Sequence, residues 1–246
     1  SEHSMMYLNE RIDDLQRGGL RVIQRADAFR FGTDAVLLAD FAAPRRHDRV
    51  CDLGTGTGII PLLLYARENT ISADAVEIQP DMADMAARSM AMNGLNEKIR
   101  VLSGDLRSIR TLLPHARYDL VTCNPPYGKA GGTLLNPDAS KRLARHEESC
   151  AIEDVACAAA WLLQNGGRLC CVFPAARMIE LSDAMQKYRM APKRIRMVHS
   201  RVEKAAHLCL MEGMLDARPG LIIEPPLVIY DENNAYTPEL RRIYGL

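Results

Sequence analysis

Short apolar segments alternate with helix-like segments along most of this chain, and this alternation constrains the fold more than any other feature. The first five strand-like segments are RVCDLG, ADAVEI, IRVLSGDL, YDLVTCN and RLCCVF. Strands joined by helices in this way form a parallel sheet with right-handed crossovers. The pattern therefore predicts an α/β fold with a doubly wound, mostly parallel sheet.

Three later segments, RIRMVHS, HLCLMEGML and PPLVIY, also read as strands. The link between the first two is short, which favours antiparallel neighbours at one edge of the sheet. We expect the sheet itself to have seven strands. We also expect a single domain over residues 1–246, with an N-terminal extension (1–45) and a core (46–246). The extension should hold the short strand LRVIQ and a helix over 33–43, capped by Thr33 or Asp34. Another helix should run over 153–167 and end at its glycines.

Composition and charge limit the classes of function. The chain has 31 Lys and Arg against 31 Asp and Glu, so its net charge predicts no general attraction to nucleic acid, and any such binding must use a local patch. No apolar run is long enough for a membrane span, and no secretory signal is recognisable. Seven cysteines without a CxxC pair fit free thiols in a reducing compartment. We expect a cytoplasmic protein without a metal site; its oligomeric state stays open.

A glycine-rich turn, CDLGTGTGI, follows the first of these five strands and precedes a helix. Glycines at 54, 56 and 58 let the backbone turn tightly and approach a ligand, with helix N–H groups facing it. Glu77 lies at the end of the second strand, where a carboxylate can accept both hydroxyls of a ribose. A ligand-free turn is the alternative. The spacing, D-x-G-x-G-x-G, differs from the dinucleotide pattern GxGxxG.

This turn resembles the motif of class I methyltransferases that use S-adenosylmethionine (SAM). The resemblance implies that the glycines wrap the amino-acid part of SAM, that Glu77 holds the ribose, and that Asp105 faces the adenine amino group. Asp105 is also compatible with a plain turn residue. The implied cofactor-binding residues at the strand ends are Asp52, Gly54, Thr55, Gly56, Gly58, Glu77, Ile78, Asp105, Leu106 and Asn124.

The fourth strand ends at NPPY because neither proline can donate to a sheet. NPPY resembles the [DNS]PP[YFW] motif of methyltransferases that act on nitrogens conjugated to a π system. The lone pair of such a nitrogen is delocalised. Two acceptors, the Asn124 side-chain oxygen and the Pro125 carbonyl, can hold its two N–H bonds and free that lone pair. Pro126 keeps the corner rigid, and Tyr127 offers a face for stacking a base. A structural Pro-Pro turn is the alternative.

Three substrates fit this corner: adenine N6, cytosine N4 and the glutamine side-chain amide. Glutamine methyltransferases usually carry a helical domain before the SAM fold, and here about 45 residues precede the glycine turn. From about Asn9 to its end, the chain resembles bacterial tRNA (adenine-N6)-methyltransferases that modify valine tRNA at position 37. The pieces that carry this resemblance are FRFGTDAVLLADFA, which generic SAM enzymes lack, CDLGTGTGIIPLLL, NPPYGK and PPLVIYDENNAYTPEL.

The resemblance implies that SAM is the cofactor and that the anticodon stem-loop of tRNA is the partner. It also implies that the turn from Phe31 to Asp34, which includes Thr33 and Asp34, approaches SAM. By the same resemblance, ARHEES (144–149) is the loop after the corner, which His146 and Glu147 should order. Related enzymes methylate other RNA adenines, so the target nucleotide stays open. The sequence also leaves open a DNA or glutamine methyltransferase, a non-catalytic RNA-binding module and a NAD-dependent oxidoreductase.

Seven basic residues lie between 187 and 204, with Glu203 as the acidic residue among them. This segment predicts contacts to RNA phosphates; the alternative is a solvated face at a strand edge. A second basic group follows NPPY. The candidate RNA-binding residues are Lys141, Arg142, Arg145, Lys193, Arg194 and Arg196.

Overall fold

The computed structural model of the protein describes residues 5–28, 32–125 and 151–246. Its strands are β1 (Glu10–Asp14), β2 (Arg21–Arg25), β3 (Arg49–Leu53), β4 (Ser72–Glu77), β5 (Ile99–Ser103), β6 (Tyr118–Cys123), β7 (Leu163–Pro174), β8 (Met190–His199), β9 (Leu208–Leu215), β10 (Ile222–Ile223) and β11 (Leu227–Val228). Its α-helices are α1 (Thr33–Ala42), α2 (Ile59–Arg67), α3 (Pro80–Met92), α4 (Ile109–Leu112), α5 (Ile152–Leu162), α6 (Met178–Lys187) and α7 (Pro238–Tyr244).

The main sheet has the order β10-β8-β9-β7-β6-β3-β4-β5, and β11 also pairs with β8. All neighbours are parallel except those of β9, which runs antiparallel to both β7 and β8. The sheet therefore combines the predicted seven strands, β3 to β9, with two strands of two residues at its edge. The predicted doubly wound sheet with an antiparallel edge is confirmed.

The order of the strands reverses at β3, because β4 and β5 lie on one side of it and β6 lies on the other. Such a switch point leaves a crevice at the carboxyl ends of the two central strands, and ligands of doubly wound sheets bind there. Here that crevice lies where β3 and β6 end.

Helices cover both faces of the sheet. One hydrophobic core packs β-strand side chains against α1, α2, α3 and α7, and also includes Leu15, Leu20 and Val22 of the N-terminal extension. A second core on the other face contains α4, α5 and α6. The extension thus shares a core with the sheet, as part of a three-layer arrangement.

The N-terminal extension holds two strands where the sequence predicted one. β1 and β2 form an antiparallel hairpin whose connection contains Gly18 and Gly19, both with positive φ. The first strand, ERIDD, contains a single apolar residue, so its pattern carries no strand signal. The hairpin is held on α3, where the Ser89 hydroxyl accepts the N–H of Ile23 at 2.8 Å.

The helix predicted over 153–167 is shorter in the structure. It ends at Leu162, and β7 begins at the next residue. Gly166 has φ +77°, and the pairing of β7 with β6 is shifted between Tyr118 and Leu120. The two glycines therefore shape an irregular start of a strand, where the sequence predicted a helix stop. No helix in the described ranges is long and apolar enough to cross a membrane.

Candidate active site

Two predicted motifs meet at the carboxyl edge of the sheet. β3 leads into the glycine turn, β6 leads into the Asn-Pro corner, and the two strands are direct neighbours. Leu53 pairs with Cys123, and Asp52 pairs with Thr122. Since neighbouring strands lie about 4.8 Å apart, the residues that follow these two strands share one crevice, although about 70 residues of chain separate them.

The glycine turn has the backbone that its sequence requires. Gly54, Gly56 and Gly58 have φ values of +70°, +57° and +84°, in the left-handed region that favours glycine. A Cβ added at Gly58 would lie 2.5 Å from Cε of Met90, so that glycine allows α3 to pack closely. A Cβ at Gly54 would meet nothing within 4 Å. The turn is therefore closed toward α3 and open where a ligand can approach its backbone.

Asp52 is a fully buried carboxyl beneath this turn. Its Oδ1 accepts the hydroxyl of Thr122 at 2.8 Å. Among the described residues, Asp52 Oδ2 and Thr55 Oγ1 are buried without a hydrogen bond of ordinary geometry. Burial raises the pKa of Asp52 to about 7, against the lowering effect of the Thr55 and Thr122 hydroxyls. Buried polar atoms without partners are costly, and a polar ligand in the turn would satisfy them. The residues present therefore fit the polar amino-acid part of SAM.

Glu77 ends β4 and braces the glycine turn. Its Oε1 accepts the N–H of Gly56 at 2.8 Å, and its Oε2 accepts the N–H of Gln79 at 2.9 Å. Burial raises its pKa, and these backbone hydrogen bonds oppose the shift. Each carboxylate oxygen can accept a second hydrogen bond, so the group can still receive ribose hydroxyls. The neighbouring Ile78 is 42% exposed, which leaves an apolar side chain beside this carboxylate.

Asp105 follows β5 and begins a short 3-10 helix, Leu106–Ser108. Its Oδ1 accepts the N–H of Arg107 at 2.9 Å, and the Arg107 guanidinium pairs with its Oδ2 at 2.7 Å. The hydrogen bonds from Arg107 hold its pKa below the usual range. Leu106 is buried. Asp105 thus has the turn role that the sequence left open, and its contact to adenine stays a prediction.

Asn124 and Pro125 follow β6 directly; Asn124 is half-buried and Pro125 is buried. Their place beside the glycine turn agrees with the predicted corner, and their roles in catalysis stay predictions. Several other predicted site residues lie outside the described residues: Phe31, Pro126, Tyr127, Lys141, Arg142, Arg145, His146 and Glu147.

The predicted capping of α1 by Thr33 or Asp34 is wrong. The helix begins at Thr33, and Gly32 occupies the N-cap position without a side chain that could cap it. The hydroxyl of Thr33 instead accepts a hydrogen bond from the hydroxyl of Tyr244 at 3.2 Å. α1 packs against α2, which starts directly after Gly58. The last residue of α1, Ala42, accepts a hydrogen bond from Arg168, which pairs with Leu120 near the start of β6. The end of α1 thus lies toward the amino edge of the sheet, and its start lies toward the carboxyl edge, where the glycine turn is.

The basic residues of β8 have acidic partners that lie far away in the sequence. Arg194 pairs with Glu212 at 3.0 Å and with Glu224 at 2.9 Å. Arg196 pairs with Glu239 at 2.6 Å. The ammonium of Lys193 donates to the carbonyl of Arg218 at 2.9 Å. The two arginines are therefore largely neutralised within the molecule, contrary to the interpretation of this segment as a strip opposed by Glu203 alone. Whether these three residues contact RNA stays a prediction.

The sequence reasoning missed Thr122 as a site residue. It is fully buried, and its hydroxyl is the hydrogen-bond donor to Asp52. The sequence signal that could have identified Thr122 is its hydroxyl within the apolar run before Asn124. This run forms β6, which pairs with the strand that carries Asp52.

Comparisons with known proteins agree with this geometry. The model of the family "Methyltransferase small domain" matches residues 26–194. A Porphyromonas gingivalis protein named tRNA1(Val) (adenine(37)-N6)-methyltransferase is 32% identical over 231 residues, 89% of either chain. A protein of the same name from Tolumonas auensis is 34% identical over 216 residues, 86% of either chain.

Solved structures share the fold. A protein of Agrobacterium tumefaciens described as a predicted O-methyltransferase superposes with a TM-score of 0.72 and 25% identity, over 87% of this chain and 96% of that one. TrmN from Thermus thermophilus has a TM-score of 0.55 and 24% identity, over 74% of this chain and 48% of that one. By sequence and by fold, this chain belongs to the methyltransferase small domain family.

Proposed function

We propose that this protein is a SAM-dependent methyltransferase that transfers a methyl group to the exocyclic N6 amine of adenine 37 in valine tRNA, beside the anticodon. The observation that carries the proposal is the parallel pairing of β3 with β6, which sets the glycine turn against Asn124. The named relatives cover nearly the whole chain, and they support both the amine and the tRNA.

The cofactor is held at the carboxyl edge of β3, β4 and β5. SAM supplies an electrophilic methyl group on a sulfonium. Asp52 and Thr55 would bind polar atoms of its amino-acid part, since each has a buried oxygen without a hydrogen bond of ordinary geometry. Glu77 would receive the ribose hydroxyls, and Ile78 would lie against the adenine ring. The remaining proposed contacts come from Thr33, Asp34, Gly54, Gly56, Gly58, Asp105, Leu106 and Asn124.

Catalysis rests on orientation of the target amine. The Asn124 side-chain oxygen and the Pro125 carbonyl accept the two N–H bonds of the adenine amine, which draws the nitrogen toward a tetrahedral shape and frees its lone pair. Pro126 keeps the carbonyl aimed, because proline fixes φ and offers no competing donor. Tyr127 stacks on the base. The amine nitrogen would bond to the methyl carbon in line as the carbon–sulfur bond breaks, with its electron pair left on the neutral thioether. The methylated amine would then lose one proton to water, so positioning and electrostatics carry the transfer without a strong base.

An anticodon-loop adenine suits a protein of zero net charge. Such a base is already outside a duplex, so turning it into the crevice costs less than flipping a paired base. Basic residues then need only to position the stem and loop. The proposed phosphate contacts are Lys193 on β8 and the group Lys141, Arg142 and Arg145. Arg194 and Arg196 are secondary candidates because of their ion pairs.

A tRNA substrate implies that the protein works in the cytoplasm. We take residues 1–246 as one catalytic domain.

The test is incubation of the purified protein with labelled SAM and separate pools of tRNA, rRNA, DNA and protein, followed by nucleoside mass spectrometry. We expect label in tRNA alone, recovered as N6-methyladenosine. Label in rRNA or DNA would support methyl transfer to a nucleobase, but would show that this nucleic acid, rather than tRNA, is the substrate. Label in glutamine of protein would replace the nucleic-acid substrate altogether.

A further inference from the structure

Three tyrosines near the C-terminus form a continuous stack. The ring centroids of Tyr230 and Tyr236 lie 5.6 Å apart with 22° between the ring planes, and those of Tyr236 and Tyr244 lie 5.4 Å apart at 19°. Stacked aromatic pairs of this geometry stabilise beyond their buried area. The stack runs from the surface, where Tyr230 is 38% exposed, to the half-buried Tyr244.

The backbone around the first two rings is tightly specified. Tyr230 and Tyr236 form an antiparallel bridge, and Oδ1 of Asp231 accepts the N–H groups of Asn233 and Ala235 in the turn between them. The N–H of Tyr230 donates to the carbonyl of Ser200, directly after β8. Because β8 and β7 are both antiparallel to β9, the end of β8 lies at the carboxyl edge of the sheet. The stack therefore stands at the same edge as the proposed active site.

Helix α7 holds the third ring in place. Leu240 and Ile243 are fully buried in the core that includes α1, and α7 packs against α1. The carbonyl of Ile243 accepts a hydrogen bond from the Arg17 guanidinium. Tyr244 is thus fixed by its helix, by the neighbouring ring and by the N-terminal extension, and its hydroxyl donates to Oγ1 of Thr33 at 3.2 Å.

Thr33 is the first residue of α1, a helix whose N-cap residue, Gly32, has no side chain. The hydrogen bond from Tyr244 therefore anchors a helix start that its own cap does not anchor. The two residues in contact lie in or near pieces of sequence that carry the family resemblance: Thr33 lies in FRFGTDAVLLADFA, and Tyr244 lies four residues after PPLVIYDENNAYTPEL.

We propose that Tyr244 is a positioning residue for SAM binding, and that its hydrogen bond to Thr33 sets the first turn of α1 at the edge of the cofactor site. The inference rests on the proposed function, because it takes Thr33 and Asp34 as neighbours of SAM. The C-terminal stack then has a role at the active site: it supports the cofactor end of the crevice from outside the sheet.

The test compares Tyr244→Phe, Thr33→Val and their double variant with the wild-type protein, by calorimetric titration with SAM and by steady-state kinetics on tRNA. We expect each single variant to weaken SAM binding about 3- to 10-fold, the scale of one hydrogen bond, with kcat within about twofold. The double variant should bind SAM no more weakly than the single variants do, because both substitutions remove the same hydrogen bond.

One control separates positioning from a general loss of stability. Tyr230→Phe keeps the stack but lies at its far end, and should bind SAM and methylate tRNA as the wild type does. Melting temperatures of all variants should stay within a few degrees, since the ring of Tyr244 is kept in Tyr244→Phe.

Unchanged SAM affinity in Tyr244→Phe, or losses that add up in the double variant, would overturn the inference. A higher KM for tRNA with unchanged SAM affinity would also overturn it and would indicate an RNA contact instead. These outcomes require a wild-type protein that binds SAM and methylates tRNA; a wild type that does neither would refute the proposed function, and this inference with it.

Discussion

Asp52 is held as a buried carboxyl at a cost to the folded protein. Its pKa is raised to about 7 by burial, so the folded protein binds its proton more tightly than the unfolded chain does. The sign follows from linkage: this stability is fully present below the unfolded pKa of about 3.9 and is lost as pH rises toward 7. A group kept at such a cost is expected at a functional site.

We therefore predict that Asp52→Asn stabilises the protein without cofactor at pH 8, on the order of 2 kcal/mol, while weakening SAM binding. The gain in melting temperature over wild type should grow as pH rises from about 4 to 7 and then level off. Thermal unfolding across this pH range measures it. Asp105→Asn is the matched control, because the pKa of Asp105 is lowered and its removal should give no such gain. If the gain in melting temperature from Asp52→Asn does not depend on pH, the pKa of Asp52 is not raised in the folded protein.

Glu77 combines two tasks beside the glycine turn. Its carboxylate accepts the N–H groups of Gly56 and Gln79, and it is the proposed acceptor for ribose. Glu77→Ala should keep the fold and weaken SAM binding by about 1.5–3 kcal/mol, the scale of hydrogen bonds to a charged group. Glu77→Gln keeps one acceptor oxygen and should therefore lose less affinity for SAM than Glu77→Ala does. Calorimetry with both variants checks this; equal affinity in wild type and Glu77→Ala would exclude Glu77 from the cofactor site.

At the scale of elements, β8 shows why a charge pattern in sequence does not reveal which basic side chains are paired with acids. Arg194 lies 18 residues from Glu212 and 30 from Glu224 along the chain. Neither acid belongs to the basic segment, and no local pattern reveals that β9 and the segment after β10 bring them together. Glu212 also pairs with the buried Arg168 at 2.9 Å. This network is part of the packing between α1 and the sheet edge, since Arg194 also donates to the carbonyl of Phe41.

We predict that Arg194→Glu is severely destabilising, by about 3 kcal/mol or more, because it leaves Glu212 and Glu224 beside a third carboxylate. Lys193→Glu is the matched control on the same strand, because Lys193 donates to a backbone carbonyl. It should fold normally. Denaturant unfolding compares the two, and equal stability would show that the ion pairs contribute nothing.

The same Lys193→Glu variant also tests RNA contact on a folded protein. If Lys193 contacts one phosphate of a single-stranded segment, the slope of log K against log salt should fall by about 0.7. An unchanged slope would leave this strand without a role in tRNA binding.

Local sequence patterns predicted the strands and helices whose formation depends on neighbouring residues. They failed for the strand and the contacts that depend on residues far away in the sequence. The repeated strand–turn–helix units and the antiparallel edge were predictable, because apolar runs and glycines mark them locally. β1 was not, since a charged strand gains its stability from docking onto α3, where Arg88 pairs with Glu10 at 2.6 Å. In the site, the residues around Asp52 and Asn124 were predictable from their motifs. The Thr122 hydroxyl and the link from Tyr244 to Thr33 arise from pairings across 70 and 211 residues.

At the scale of the whole molecule, the fold brings the glycine turn, Asn124 with Pro125, and the C-terminal stack to one edge of the sheet. A neutral protein of this kind is expected to select RNA through shape and a few basic contacts rather than through its overall field. Its specificity should therefore depend on a single loop adenine fitting the crevice.

The most direct test uses two transcripts of valine tRNA that differ at one nucleotide, with adenine or guanine at position 37, together with wild-type protein and Asn124→Ala. The wild type should form one N6-methyladenosine per adenine-37 transcript and none in the guanine-37 transcript. Asn124→Ala should bind SAM nearly normally and transfer methyl about 10²–10³-fold more slowly in single turnover. Methylation of the guanine-37 transcript, or a full rate with Asn124→Ala, would contradict the account.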